Sequence, residues 1–181
     1  MRETKKLTLS AVTVALGTVF MVLGAVFQIL DLSAAVLASL LVVFIYVELG
    51  SPYTWLVWLA TSLATFICYS GSLMWLVYLT LFGIYPILKG YIERLPRPVW
   101  LILKLVFLNL MLVLLAFLAE PLTGISFFGD LDSVEILPRD WLIAILWVMM
   151  NVAFLLYDKL IVLMLAFYNM RIRPRIKNLL K

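Results

Sequence analysis

Histidine is absent from this chain, cysteine occurs once, at Cys68, and charged residues make up only 13% of its 181 positions. Without histidine there is no Ser-His hydrolysis, no histidine-ligated haem and no His-x-x-Glu type of metal site. A single cysteine excludes a disulfide within the chain and leaves no thiolate set for a metal. Neither a phosphate loop of the GxxxxGK(S/T) kind nor a CxxC pair occurs. A carboxylate pair on one helix face deep in an apolar run, the mark of a proton-coupled machine, is missing as well. The sequence therefore predicts no catalytic residues, no metal and no cofactor.

The scarcity of charge also excludes a water-soluble globule. Hydrophobic residues are 66% of the chain and its mean hydropathy is +1.15, whereas soluble domains are about 45–50% apolar and about 25% charged. So much apolar surface needs lipid. The net charge of +4 sits beside the hydrophobic runs, where it serves topology rather than a nucleic-acid partner.

Apolar runs and their breakers predict an all-α, polytopic bundle of six transmembrane helices in one domain, with spans at about 7–30, 32–49, 53–69, 72–92, 99–119 and 140–157. The breaks are Asp31, Gly50-Ser51-Pro52, Ser70-Gly71, Leu95-Pro96-Arg97-Pro98 and the polar stretch 120–139. Proline restricts itself and its predecessor, so Pro52, Pro96, Pro98, Pro121 and Pro138 mark helix ends, while Pro86 predicts a kink in the fourth span. The first segment starts basic like a signal peptide, but its apolar run is too long and lacks a cleavage site, so it reads as a retained span.

Orientation follows from the basic residues. With the N-terminus inside, 13 of the 14 lysines and arginines fall on the inner side and only Arg139 outside. Asp31, Glu120, Asp130, Asp132, Glu135 and Asp140 fall outside. This positive-inside bias predicts an N-in, C-in protein. Lys89 and Lys104 are expected to snorkel to the inner water layer. The tail, 158–181, is expected to be an interfacial helix with a basic end that anchors topology or docks a cytoplasmic partner.

The first span, greasy as it is, carries two stripes of small residues. One runs through Ala11 and Ala15 to Thr18, Val22 and Ala25; the other joins Thr13, Gly17 and Gly24. Lipid offers no hydrophobic drive for helix pairing, so close backbone approach through such residues supplies packing instead. One stripe suits a neighbour in the same bundle, and a second permits a partner helix from another chain. Ala11, Ala15 and Gly17 are the candidates for that partner.

A small-molecule site filled from outside would draw on polar groups of the outer half. Candidates are Gln28 and Asp31, Thr65 and Tyr69, Trp75 and Tyr78, and Asn151 with Trp147. Amides within spans, Asn109 and Asn151, also serve to bond a neighbouring helix. The outer loop, with Phe127 and Phe128 among acids, reads as a lid or as a disordered or surface-lying segment.

The segment "LSAVTVALGTVFMVLG", with its Ala-x-x-x-Ala in the inner half of the first helix, and "FGIYPILKGYIER", ending the fourth helix at a basic turn, resemble the substrate-binding S component of energy-coupling factor transporters. The resemblance implies uptake of a small solute together with a transmembrane T component and two cytoplasmic ATPases. It also implies that the Ala11/Ala15 stripe packs on the coupling helices of the T component. The N-terminal histidine motif of the family's metal-carrying members is absent. An alternative expectation from another class is a non-transporting membrane scaffold for cell-envelope assembly, which needs helices and partners but no pocket.

Overall fold

A computed structural model describes residues 3–27, 30–125, 129 and 138–174. Gln28, Phe127, Phe128 and the basic end beyond 174 lie outside the described residues. All regular structure among the described residues is helical: α1 (Glu3–Phe27), α2 (Asp31–Leu49), α3 (Ser51–Cys68), α4 (Met74–Val77), α5 (Tyr85–Ile92), α6 (Arg97–Thr123) and α7 (Arg139–Phe167). A π-helical turn, Tyr78–Phe82, continues α4 towards α5, and another, Tyr168–Ile172, extends α7. Five rods are long and apolar enough to cross a membrane: α1, α2, the α4–α5 rod, α6 and α7 with its extension. The chain is a multi-pass helical membrane protein.

The breakers act where expected. Gly50, at φ 82°, alone turns α2 into α3, a left-handed conformation that costs glycine little. Pro96 and Pro138 precede α6 and α7. Two boundaries differ from the sequence expectation. α6 runs past Pro121 to Thr123, because the missing N–H costs little in a last turn closed by the left-handed Gly124. α7 continues through Asp158 without a break, since no glycine or proline intervenes before Pro174.

α3 is 18 residues long, about 27 Å of helix against a hydrocarbon core of about 30 Å. It is the least apolar rod, with Thr54, Thr61, Ser62 and Thr65 all buried. Three of these hydroxyls, those of Thr54, Ser62 and Thr65, donate to the carbonyl four residues back. Such small, self-satisfied residues let a neighbour approach closely. α3 lies along the whole α4–α5 rod: Phe66 meets the Trp75 ring edge at 4.8 Å at one end, and Ser51 meets the Tyr91 hydroxyl at 2.8 Å at the other.

α1 supplies the other wall of this three-helix block. A methyl on Gly24 would overlap the Ala34 Cβ of α2, and one on Gly17 would lie 3.1 Å from Thr61 Cγ2 of α3. At the N-terminal end, the Tyr53 hydroxyl donates to Glu3. Thus α1 runs antiparallel to α2 and alongside α3.

Pro86 breaks the fourth rod in an informative way. Lacking an N–H, it leaves the Phe82 carbonyl without its helical donor. The Tyr157 hydroxyl of α7 supplies one, sharing its hydrogen between that carbonyl at 3.1 Å and Ser39 Oγ at 2.8 Å. One turn earlier, Gly83 N–H bonds the Tyr78 carbonyl in π fashion, which frees the Leu79 carbonyl for Trp58 Nε1 at 3.1 Å. Side chains from α3 and α7 therefore complete a backbone that cannot complete itself. Tyr157→Phe should lower unfolding stability by about 1–3 kcal/mol, the cost of an unsatisfied buried carbonyl. Chemical denaturation in detergent micelles would check it, with Ser39→Ala expected to cost less.

Candidate functional site

The expected site residues do not converge. Asp31 opens α2 and is half-buried, with its Oδ1 unpartnered among the described residues. Tyr69 caps the end of α3 and is exposed. Trp75 donates to the Ser70 carbonyl at 3.3 Å. Tyr78 is fully buried in a separate cluster with Met21, Ala35, Ala38, Val42 and Ile87. Thr65 bonds only its own helix.

Asn151 takes the other role foreseen for intramembrane amides. Trp147 Nε1 donates to Asn109 Oδ1 at 2.6 Å, and Asn109 Nδ2 donates to Asn151 Oδ1 at 3.1 Å. Asn109 Nδ2 also donates to the Leu105 carbonyl, and Asn151 Nδ2 to the Trp147 carbonyl. This set joins α6 to α7 and spends its polar groups on itself.

The two stripes of α1 separate only in its first half. Thr13, Gly17 and Gly24 are buried, and so is Ala25 at the far end of the other stripe, with Thr18 and Val22 half-buried, whereas Ala11 and Ala15 are exposed. Gly17 thus serves the chain's own bundle, and Ala11 and Ala15 remain on the outer face of the helix.

A cavity of about 780 Å³ lies between α2, the α4–α5 rod, α6 and α7. Its walls are Leu, Val, Met, Phe and Ala, with Ser33 and Tyr157 the only hydroxyl-bearing residues among them. Asp31, Tyr69, Trp75, Tyr78 and Asn151 do not line it. The void arises because the α1–α3 block and the α6–α7 pair meet mainly through the broken fourth rod. One turn beyond Leu40 and Met164 of its lining, α2 and the α7 extension are clasped together. There Phe44 meets the Tyr168 ring edge at 5.5 Å, Tyr168 donates to Glu48 at 3.0 Å, and Arg173 pairs with Glu48 at 3.1 Å.

Beside the cavity, behind the rings of Tyr85, Phe107, Phe154 and Tyr157, sits a cluster of buried charge. Lys104 of α6 is 0% exposed, Lys89 of α5 5% and Asp158 of α7 8%. Lys104 Nζ lies 2.9 Å from both Asp158 oxygens and 2.6 Å from Glu93. Lys89 donates to the same two carboxylates, and the Tyr85 hydroxyl donates to Asp158. Two ammonium groups face two carboxylates, and Lys104 also stands 4.1 Å over the Trp100 ring. The expectation that both lysines snorkel to water is overturned: they point into the bundle because Asp158 draws them there. The sequence signal was thin, a Lys89/Glu93 pair at i,i+4 and two lone charges inside long apolar helices.

Compared with protein-family models, curated proteins and solved structures, the chain matches none.

Proposed function

We propose that this chain is a membrane-embedded solute-binding subunit, similar to an S component, that crosses a bacterial inner membrane six times with both ends inside. It takes up a small solute together with a transmembrane T component and cytoplasmic ATPases. The observation that carries this reading is the division of labour on α1. The bundle uses the Thr13/Gly17/Gly24 stripe and leaves Ala11 and Ala15 free for a helix of another chain. The cavity supports the solute-binding half of the reading, because 780 Å³ falls within the size of ligand sites, about 300–1,000 Å³. The match in length between α3 and the fourth rod supports six crossings, since two rods joined at both ends cover the same depth.

Ala11→Leu with Ala15→Leu would replace a smooth surface by two branched side chains without touching the core. When the chain is co-expressed with a T component and its ATPases, affinity capture of the double variant should retain less T component by about tenfold, a loss of about 1.4 kcal/mol. An undiminished complex, in a variant whose helicity is intact, would overturn the reading.

A further inference from the structure

Resting on the reading that this cavity is the solute site, we propose that its occupant is the hydrocarbon chain of a membrane-dissolved amphiphile, admitted sideways between α2 and α7. The walls dictate the chemistry. Tyr157 has its proton committed to Ser39 and the Phe82 carbonyl, and Ser33 is the other hydroxyl-bearing residue of the lining. A polar group placed deep in this space would lose its water and, away from Ser33, find no free donor among the described lining residues, at about 1–3 kcal/mol each. A sugar-like or zwitterionic solute carries several such groups. A chain of methylenes carries none, and the thioethers of Met74, Met150 and Met164 in the walls adapt readily to its shape.

The route follows from exposure. Leu37 of α2 and Leu156 of α7, each inside its helix rather than at its end, line the cavity and are 47% and 64% exposed, and Leu32 at the start of α2 is exposed too. The lining is therefore accessible along its side as well as at one end, and along the side of a membrane-spanning bundle the surroundings are hydrocarbon. One turn beyond Leu40 and Met164, the Phe44, Tyr168, Glu48 and Arg173 clasp ties α2 to the α7 extension. An occupant arriving from lipid gains nothing from leaving water, so its preference for the cavity comes from packing and shape. That sets the scale of the effect as a moderate selectivity over annular lipid rather than an irreversible capture.

The test uses the intact chain in lipid nanodiscs of phosphatidylglycerol, with a palmitate that carries a diazirine near its terminal methyl. After irradiation, adducts are mapped by mass spectrometry. Val77 and Leu112 line the cavity and are buried, 5% and 2% exposed, so only a chain inside the cavity reaches them. Val12 and Val19 on the outer face of α1 report annular contact. Labelling of Val77 and Leu112 should exceed that of Val12 and Val19 by about tenfold, as a preference of about 1.4 kcal/mol gives. It should fall to background in Val36→Trp or Ala153→Trp, which fill the cavity from opposite walls. Adducts confined to outward residues, or cavity adducts that survive both fillings in chains of unchanged helicity, would overturn the proposal. No T component is present in this experiment. Labelled cavities without a T complex would therefore discard the transport reading and keep the ligand class, and the reverse result would discard only the ligand class.

Discussion

Asp158→Leu should be the most damaging single change in this chain, costing about 3–5 kcal/mol of stability, because it strips the shared counter-ion from two buried lysines. Glu93 remains, but its side chain is 38% exposed and already engaged by both ammonium groups. Lys104, with no exposed surface, would be left half-neutralised in a medium where an unpaired charge is expensive. Denaturant titration in micelles would measure the loss. Adding Lys104→Met should recover most of it, since an apolar pair of similar volume is commonly as stable as the ion pair it replaces. A single variant within about 0.5 kcal/mol of the parent would show that the lysines escape to the interface at little cost, and the cluster would then have no structural role.

Gly24→Ala should cost about 1–3 kcal/mol by overpacking, a large effect for one methyl. The obstruction is the Ala34 Cβ, which cannot rotate away because it has no rotamers. Either α1 and α2 move apart, or the backbone bends. The compensating change is specific: Ala34→Gly in the same chain removes the obstruction and should restore most of the midpoint in thermal unfolding. Gly17→Ala faces the more compliant Thr61 methyl and should cost less. If Gly24→Ala melts with the parent, the close α1–α2 crossing is wrong.

Helical class, the turns at Gly50 and Pro96 and the kink at Pro86 were legible because each rests on a local property of one or two residues. The charge cluster was not, because its members come from positions 89, 93, 104 and 158 on three helices. Only Lys89 and Glu93 are close enough in sequence to read as a pair. A lysine one turn or two from a helix end satisfies a snorkelling rule equally well whether it faces water or the bundle, and the carboxylate that decides lies more than fifty residues away. The two stripes of α1 were visible, but not that Ala11 and Ala15 stay exposed while Ala25 of the same stripe is buried with Thr13, Gly17 and Gly24. The cavity had no sequence signature, as its walls are the ordinary residues of any lipid-embedded helix. Polar residues, which attract attention in a sequence, are spent on joining helices, as Asn109 and Asn151 show.

The buried cluster also bears on how the molecule is made. Helices leave the ribosome in order, so α5 and α6, with Lys89 and Lys104, enter the bilayer before the acid on α7 has been synthesised. During that interval neither ammonium group has the Asp158 carboxylate to turn towards, and only Glu93 is at hand. Asp158 arrives with α7, so the two lysines gain their buried partner only when that helix packs against α5 and α6.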